Sequence, residues 1–133
     1  AYAWQRLRQA GARLAFGSDF PVEQVDPMLG IYAAVTRQDL EGEPPGGWLP
    51  DQRVTIQVAL EGFTVNAAYA GFAEDETGSL EVGKLADFVV LDQDLFELAP
   101  ADTPNTRVLR TVVGGKVVFQ ASSGPPANAG PSG

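Results

Sequence analysis

A single carboxylate at the end of a short apolar run is the feature of this chain best suited to chemistry. Leu14, Ala15 and Phe16 read as a buried strand, Gly17 and Ser18 stop it, and Asp19 follows at its carboxyl end. Pro21 bars further ladder pairing because it has no N–H to give. In parallel α/β folds the carboxyl ends of strands are where ligands and catalytic groups collect. Taken locally, Asp19 has two readings. It is either a functional group at a strand mouth or a turn former whose side chain bonds the backbone two residues on.

The residue types that are missing narrow the chemistry further. Among 133 residues there is no histidine and no cysteine. Disulfides, thiolate metal sites, cysteine nucleophiles and Ser-His-Asp triads are therefore excluded. A zinc site built from this chain alone would have to use carboxylates, whereas zinc sites usually draw on imidazole or thiolate. Whatever reaction is catalysed, this chain cannot supply all the parts. Seventeen acidic against nine basic residues give a formal charge of −8, which leaves no basic face for a phosphate backbone and argues against nucleic acid. No apolar run approaches the roughly 20 residues needed to cross a bilayer, and the opening Ala-Tyr-Ala-Trp-Gln-Arg is not a signal peptide. The expectation is a cytoplasmic protein without a membrane partner, and the missing initiator Met suggests a piece of a longer one.

The elements around Asp19 follow from periodicity and punctuation. Residues 2–10 read as a helix with Trp4 and Leu7 on one face, stopped by Gly11 at C′ and followed by a strand over 13–17. After the Asp19 turn, Asp26 is a natural N-cap and Pro27 a natural first helical residue. Met28, Ile31, Tyr32 and Val35 follow at helical spacing, as a core-facing stripe does. Residues 39–53, rich in Gly and Pro, form a long loop that either flanks a cleft or is a surface excursion. Thr55 caps a second helix that turns Ile56, Ala59, Leu60, Phe63 and Ala67 inward, with Gly62 weakening it by roughly 1 kcal/mol. Asn66 is expected to cap a short turn over 67–70, closed by Gly71.

Beyond Thr77 the pattern is β. A run over 86–92 is followed by strands at 108–113 and 116–119. Gly114 and Gly115 between the last two mark a two-residue hairpin, because the favoured turn needs positive φ at both central positions. That register sets Val112 against Val117 and Arg110 against Phe119. Phe88, Val89, Val90 and Leu91 are apolar on both faces, as in a strand covered on both sides, and three short strands cannot provide that cover. Residues 121–133 are Ala, Ser, Gly, Pro and Asn with too little apolar surface to fold, so a disordered tail is expected.

Five stretches, in order and spacing, together resemble one family. They are Gly-Ser-Asp-Phe-Pro-Val at 17–22, Asp-Pro-Met-Leu-Gly-Ile-Tyr-Ala-Ala-Val-Thr-Arg at 26–37 and Thr-Val-Asn-Ala-Ala-Tyr-Ala at 64–70. Gly-Ser-Leu-Glu-Val-Gly-Lys-Leu-Ala-Asp-Phe-Val-Val-Leu at 78–91 and Val-Val-Gly-Gly-Lys-Val-Val at 112–118 complete the set. The set is similar to the carboxyl-terminal third of metal-dependent amidohydrolases, in the family-3 branch that includes N-substituted formamide deformylase. The resemblance implies an α/β fold, namely the C-terminal part of a (β/α)8 barrel followed by the C-terminal strands of a small β-sandwich. Residues 13–18 would be the last barrel strand, 1–72 the closing segment of the barrel and 73–120 the carboxyl-terminal share of the sandwich.

By the same resemblance, Asp19 would bind the catalytic metal and accept a proton from the attacking water. Ser18, Pro21 and Glu23 flank it, and Ser18 either hydrogen-bonds near the site or orients the turn. The family's other ligands are histidines, with a modified lysine in some members. The resemblance therefore implies a divalent metal, zinc by expectation, and a small amide-type substrate in the intact enzyme only. The chain alone is expected to hold no metal and to be inactive. Two other readings stand beside this one: a non-catalytic remnant or subunit that associates through exposed barrel and sheet surfaces, as a homo-oligomer for example, and a small acidic α+β binding domain.

Overall fold

In the computed structural model, which describes residues 3–19, 21 and 26–122, the chain opens with helix α1 (Trp4–Gln9). Its end is a Schellman motif: Gly11, at φ 97°, donates to the Arg8 carbonyl and Ala12 to the Leu7 carbonyl, so both orphan acceptors are satisfied. α1 rests on a 3₁₀ turn, Pro50–Gln52, where the Arg6 N–H donates to Gln52 Oε1 at 3.1 Å. Trp4 faces inward as expected, but Leu7 does not and is 51 % exposed. Six residues are too few to hide more than the side directly against a neighbour.

The strand expected over 13–18 carries no ladder. A parallel strand needs strands beside it, and among the described residues none lies there. What holds the segment includes a backbone bond from Phe16 N–H to the Gly62 carbonyl at 2.8 Å, the Arg13 guanidinium 3.9 Å from the Tyr69 ring centroid, and the Phe16 ring. Phe16 stacks 5.6 Å from Trp4 on one side and 5.6 Å from Phe63 on the other. Each of the two phenylalanine rings is seated on a glycine: a Cβ on Gly62 would come within 2.5 Å of Phe16, and one on Gly30 within 2.5 Å of Phe63. Gly62 thus admits the ring as well as weakening its helix.

Helix α2 (Pro27–Thr36) starts as its sequence dictates, with Asp26 Oδ1 accepting from the Met28 N–H at 2.9 Å and Pro27 at N1. It buries Met28, Ile31, Tyr32 and Ala34, while Val35 is only half-buried. Helix α3 (Ile56–Phe63) is capped by Thr55, whose Oγ1 accepts from the Val58 N–H at 3.2 Å. The helix does not run on to Ala67. Thr64 leaves helical geometry at φ −124°, ψ −93°, and its hydroxyl bonds back to the Leu60 carbonyl, closing α3. A separate helix α4 (Val65–Ala70) follows, so Asn66 lies inside it and caps nothing.

Strands β1 (Phe88–Leu91), β2 (Val108–Val113) and β3 (Lys116–Gln120) form one antiparallel sheet in that order. Gly114 and Gly115 have φ 57° and 81°, the primed-turn geometry their pairing demanded. Val112 pairs with Val117 as expected. Arg110, however, pairs with Gln120 rather than with Phe119, because a bulge between Thr111 and Val112 leaves Val118 as the extra residue on β3.

The stretch between β1 and β2 is no idle loop. Asp92 and Arg107 close its base through two bonds of 3.0 and 2.8 Å. Its 3₁₀ turn, Pro100–Asn105, then lies on α2. Leu95 enters the core beside Met28, Ile31, Ala34, Val54 and Ala59. No helix among the described residues is long and apolar enough to cross a membrane. Of the residues singled out above, Phe20, Val22 and Glu23 fall outside the described residues, as does the tail expectation for 123–133.

Candidate active site

Asp19 lines a groove of about 650 Å³ that lies between the Phe16 segment, α2 and the start of the loop after it. The side chain is exposed, and its backbone is left-handed at φ 56°, a conformation that aspartate tolerates better than most residues. Two other carboxylates line the same groove, and each is already committed. Asp26 caps α2, and Asp39 Oδ1 accepts from the Glu41 and Glu43 N–H groups, both at 2.9 Å. Asp26 and Asp39 thus each shape the backbone around the groove, and Asp19 ends the segment that forms its first wall.

The opposite wall is Gln38, Asp39 and Leu40, tied down by the Tyr32 hydroxyl, which donates to the Asp39 carbonyl at 2.7 Å. Gln38 Nε2 bridges to the Gly42 and Pro44 carbonyls at 3.0 and 3.2 Å. Of the two readings left open for residues 39–53, flanking a cleft is the one the geometry favours. The side chain that sequence reasoning gave no role is Arg37. Arg37 is buried, its guanidinium lies over the rings of both Trp4 and Trp48, at 4.6 and 5.0 Å from their centroids, and burial lowers its pKa from the ordinary arginine value. The tryptophans are 44 residues apart, and no local pattern links either to Arg37.

A resident divalent metal does not fit these residues. Among the described residues no three His, Cys, Asp or Glu side chains come together, and a lone exposed carboxylate offers one ligand where zinc sites use three or four. A second hollow, of about 500 Å³, lies between the α3–α4 break and β1. The polar groups around it are structural: Asp87 Oδ1 accepts from the Gly114 N–H at 2.7 Å, and Lys84 Nζ reaches Ser79 Oγ at 2.9 Å and Glu81 Oε2 at 3.4 Å.

Comparison with known proteins agrees with this architecture. The chain is 38 % identical over 119 residues to Protein LONG AFTER FAR-RED 3 of Arabidopsis thaliana, covering 90 % of this chain and 20 % of that protein. It is 36 % identical over 114 residues to N-substituted formamide deformylase of Arthrobacter pascens, covering 86 % and 20 %. The chain therefore spans about a fifth of the length of these curated relatives. A solved amidohydrolase from Thermotoga maritima MSB8 superposes with a TM-score of 0.67 at 24 % identity, over 90 % of this chain and 26 % of that one, so the two share a fold. The model of the amidohydrolase family matches residues 1–119, nearly everything described above, and the chain belongs to that family.

Proposed function

We propose that this chain is the carboxyl-terminal part of a metal-dependent amidohydrolase and supplies the carboxylate base, Asp19, for hydrolysis of an amide-type C–N bond in a small molecule. One observation carries the reading: Asp19 stands exposed in the groove at the end of the Phe16 segment, with its backbone left-handed at φ 56°. As the water oxygen bonds to the amide carbon, Asp19 takes the water's proton. It then returns that proton to the nitrogen as the C–N bond breaks. Proton transfer by a positioned side chain accounts for about 10²–10⁴ in rate. The divalent metal expected in the complete enzyme, zinc by family likeness, belongs to histidine ligands that this chain lacks. The chain's own share is the proton transfer, and it is inactive in isolation.

Residues 1–72 are read as the closing segment of the barrel and 73–120 as the carboxyl-terminal share of the sandwich, in a cytoplasmic enzyme. The test is Asp19→Asn in the complete polypeptide with metal content matched to the parent. Turnover is expected to fall by about 10²–10⁴, the contribution of a general base. Unchanged turnover would sink the assignment. A second reading, association without catalysis, draws on the open apolar face of β3, where Val117, Val118 and Phe119 are exposed. Sedimentation of the chain alone separates the two, since a partner-seeking subunit forms a defined dimer and a severed enzyme segment does not.

A further inference from the structure

The walls of the Asp19 groove come from separate stretches of chain, and one side chain touches the support of both. Arg37, which ends α2, is buried and left-handed at φ 57°. Glycine is the ordinary choice for a helix ending this way, and an arginine persists there only where its surroundings over-determine it. On one side its guanidinium lies over Trp4, Trp4 packs on Phe16, and Asp19 is three residues further on. On the other side Arg37 Nε donates to the Trp48 carbonyl at 2.6 Å while the Trp48 N–H donates to the Arg37 carbonyl at 2.8 Å. That reciprocal pair closes the loop whose first residues, Gln38, Asp39 and Leu40, are the opposite wall. Gly47 is pressed so tightly on the Thr36 carbonyl that a Cβ there would overlap it, which seats Trp48 against the helix end.

We propose that Arg37 is a positioning residue that fixes the separation of the two walls of the Asp19 groove by stacking its guanidinium between Trp4 and Trp48. Its importance for turnover rests on the reading of Asp19 given above. The geometry does not. A planar guanidinium can offer two faces to two indoles while its Nε holds a carbonyl, and a lysine ammonium cannot do both.

The sequence makes the test clean, because it contains no cysteine and its two tryptophans are the two that flank Arg37. Spin labels on Ser18→Cys and Leu40→Cys place one probe in each wall, and indole emission reports on the stack. The parent should give a narrow label distance. Arg37→Lys and Arg37→Gly should both broaden it and shift the emission to the red. The glycine variant, free of backbone strain, keeps the test decisive if bulkier replacements unfold. A narrow distance retained in both variants overturns the proposal. In the complete enzyme Arg37→Lys should lower kcat about tenfold at unchanged KM, and a full kcat alongside the label broadening would confine Arg37 to geometry and overturn its catalytic importance. If instead Asp19→Asn proves harmless, the assignment of the base falls while the label distances still judge Arg37.

Discussion

The helical layer and the sheet both carry runs of apolar side chains, yet they treat them in opposite ways. Ile31, Ala34 and Ala59 are 0–2 % exposed, whereas Val117, Val118 and Phe119 on β3 are 48–61 % exposed. The difference is not composition but whether a second layer lies over the face. α2 has α3 on one flank and the Pro100–Asn105 turn on another; among the described residues, β2 is the strand beside β3. Hydrophobicity therefore says where a surface wants to be buried, and only topology says whether it is.

Substitutions in the two regions should separate accordingly. Ile31→Ala removes a fully enclosed side chain and should cost about 2–5 kcal/mol in urea unfolding of the chain. A loss below about 1 kcal/mol would erase the contrast. Gly62→Ala comes next. The added methyl meets the Phe16 ring and should cost about 1–3 kcal/mol, against a helix-propensity gain of about 1 kcal/mol. Removing the ring with Phe16→Ala should turn the same change neutral or stabilising, and a double-mutant cycle measures that reversal. Phe119→Ser should be nearly silent in this chain, within about 0.5 kcal/mol by thermal melting, as surface changes usually are. In the complete enzyme the same change should become several times costlier, because that reading places further structure over the β3 face. A large loss in the chain alone would mean that the sheet is already covered.

What could be read from the sequence was governed by short-range rules. The Asp26 cap with Pro27, the Gly11 stop, the Thr55 cap and the Gly114–Gly115 turn each depend on two to five neighbouring residues, and all four stand as expected. The partner of Arg110 was misjudged because a bulge at Val118 is set by the packing of two strands and leaves no trace in a hairpin register count. Leu7 and Asn66 were misplaced because helical spacing is blind to where a helix stops and what lies beside it. Asp19 stood out through its strand-mouth pattern and the family likeness. Its groove did not, because Trp4, Arg37 and Trp48 meet only through the fold.

The connection between β1 and β2 has a practical consequence. Chain that joins strands is ordinarily where insertions, tags and circular permutation are best tolerated. Here that rule fails for one connection: a graft near Leu95 would wedge apart α2 and the residues against it, and even the exposed two-glycine turn is tied by its N–H groups to Ala86 and Asp87. An engineer guided by secondary structure alone would miss that the longer connection is part of the core.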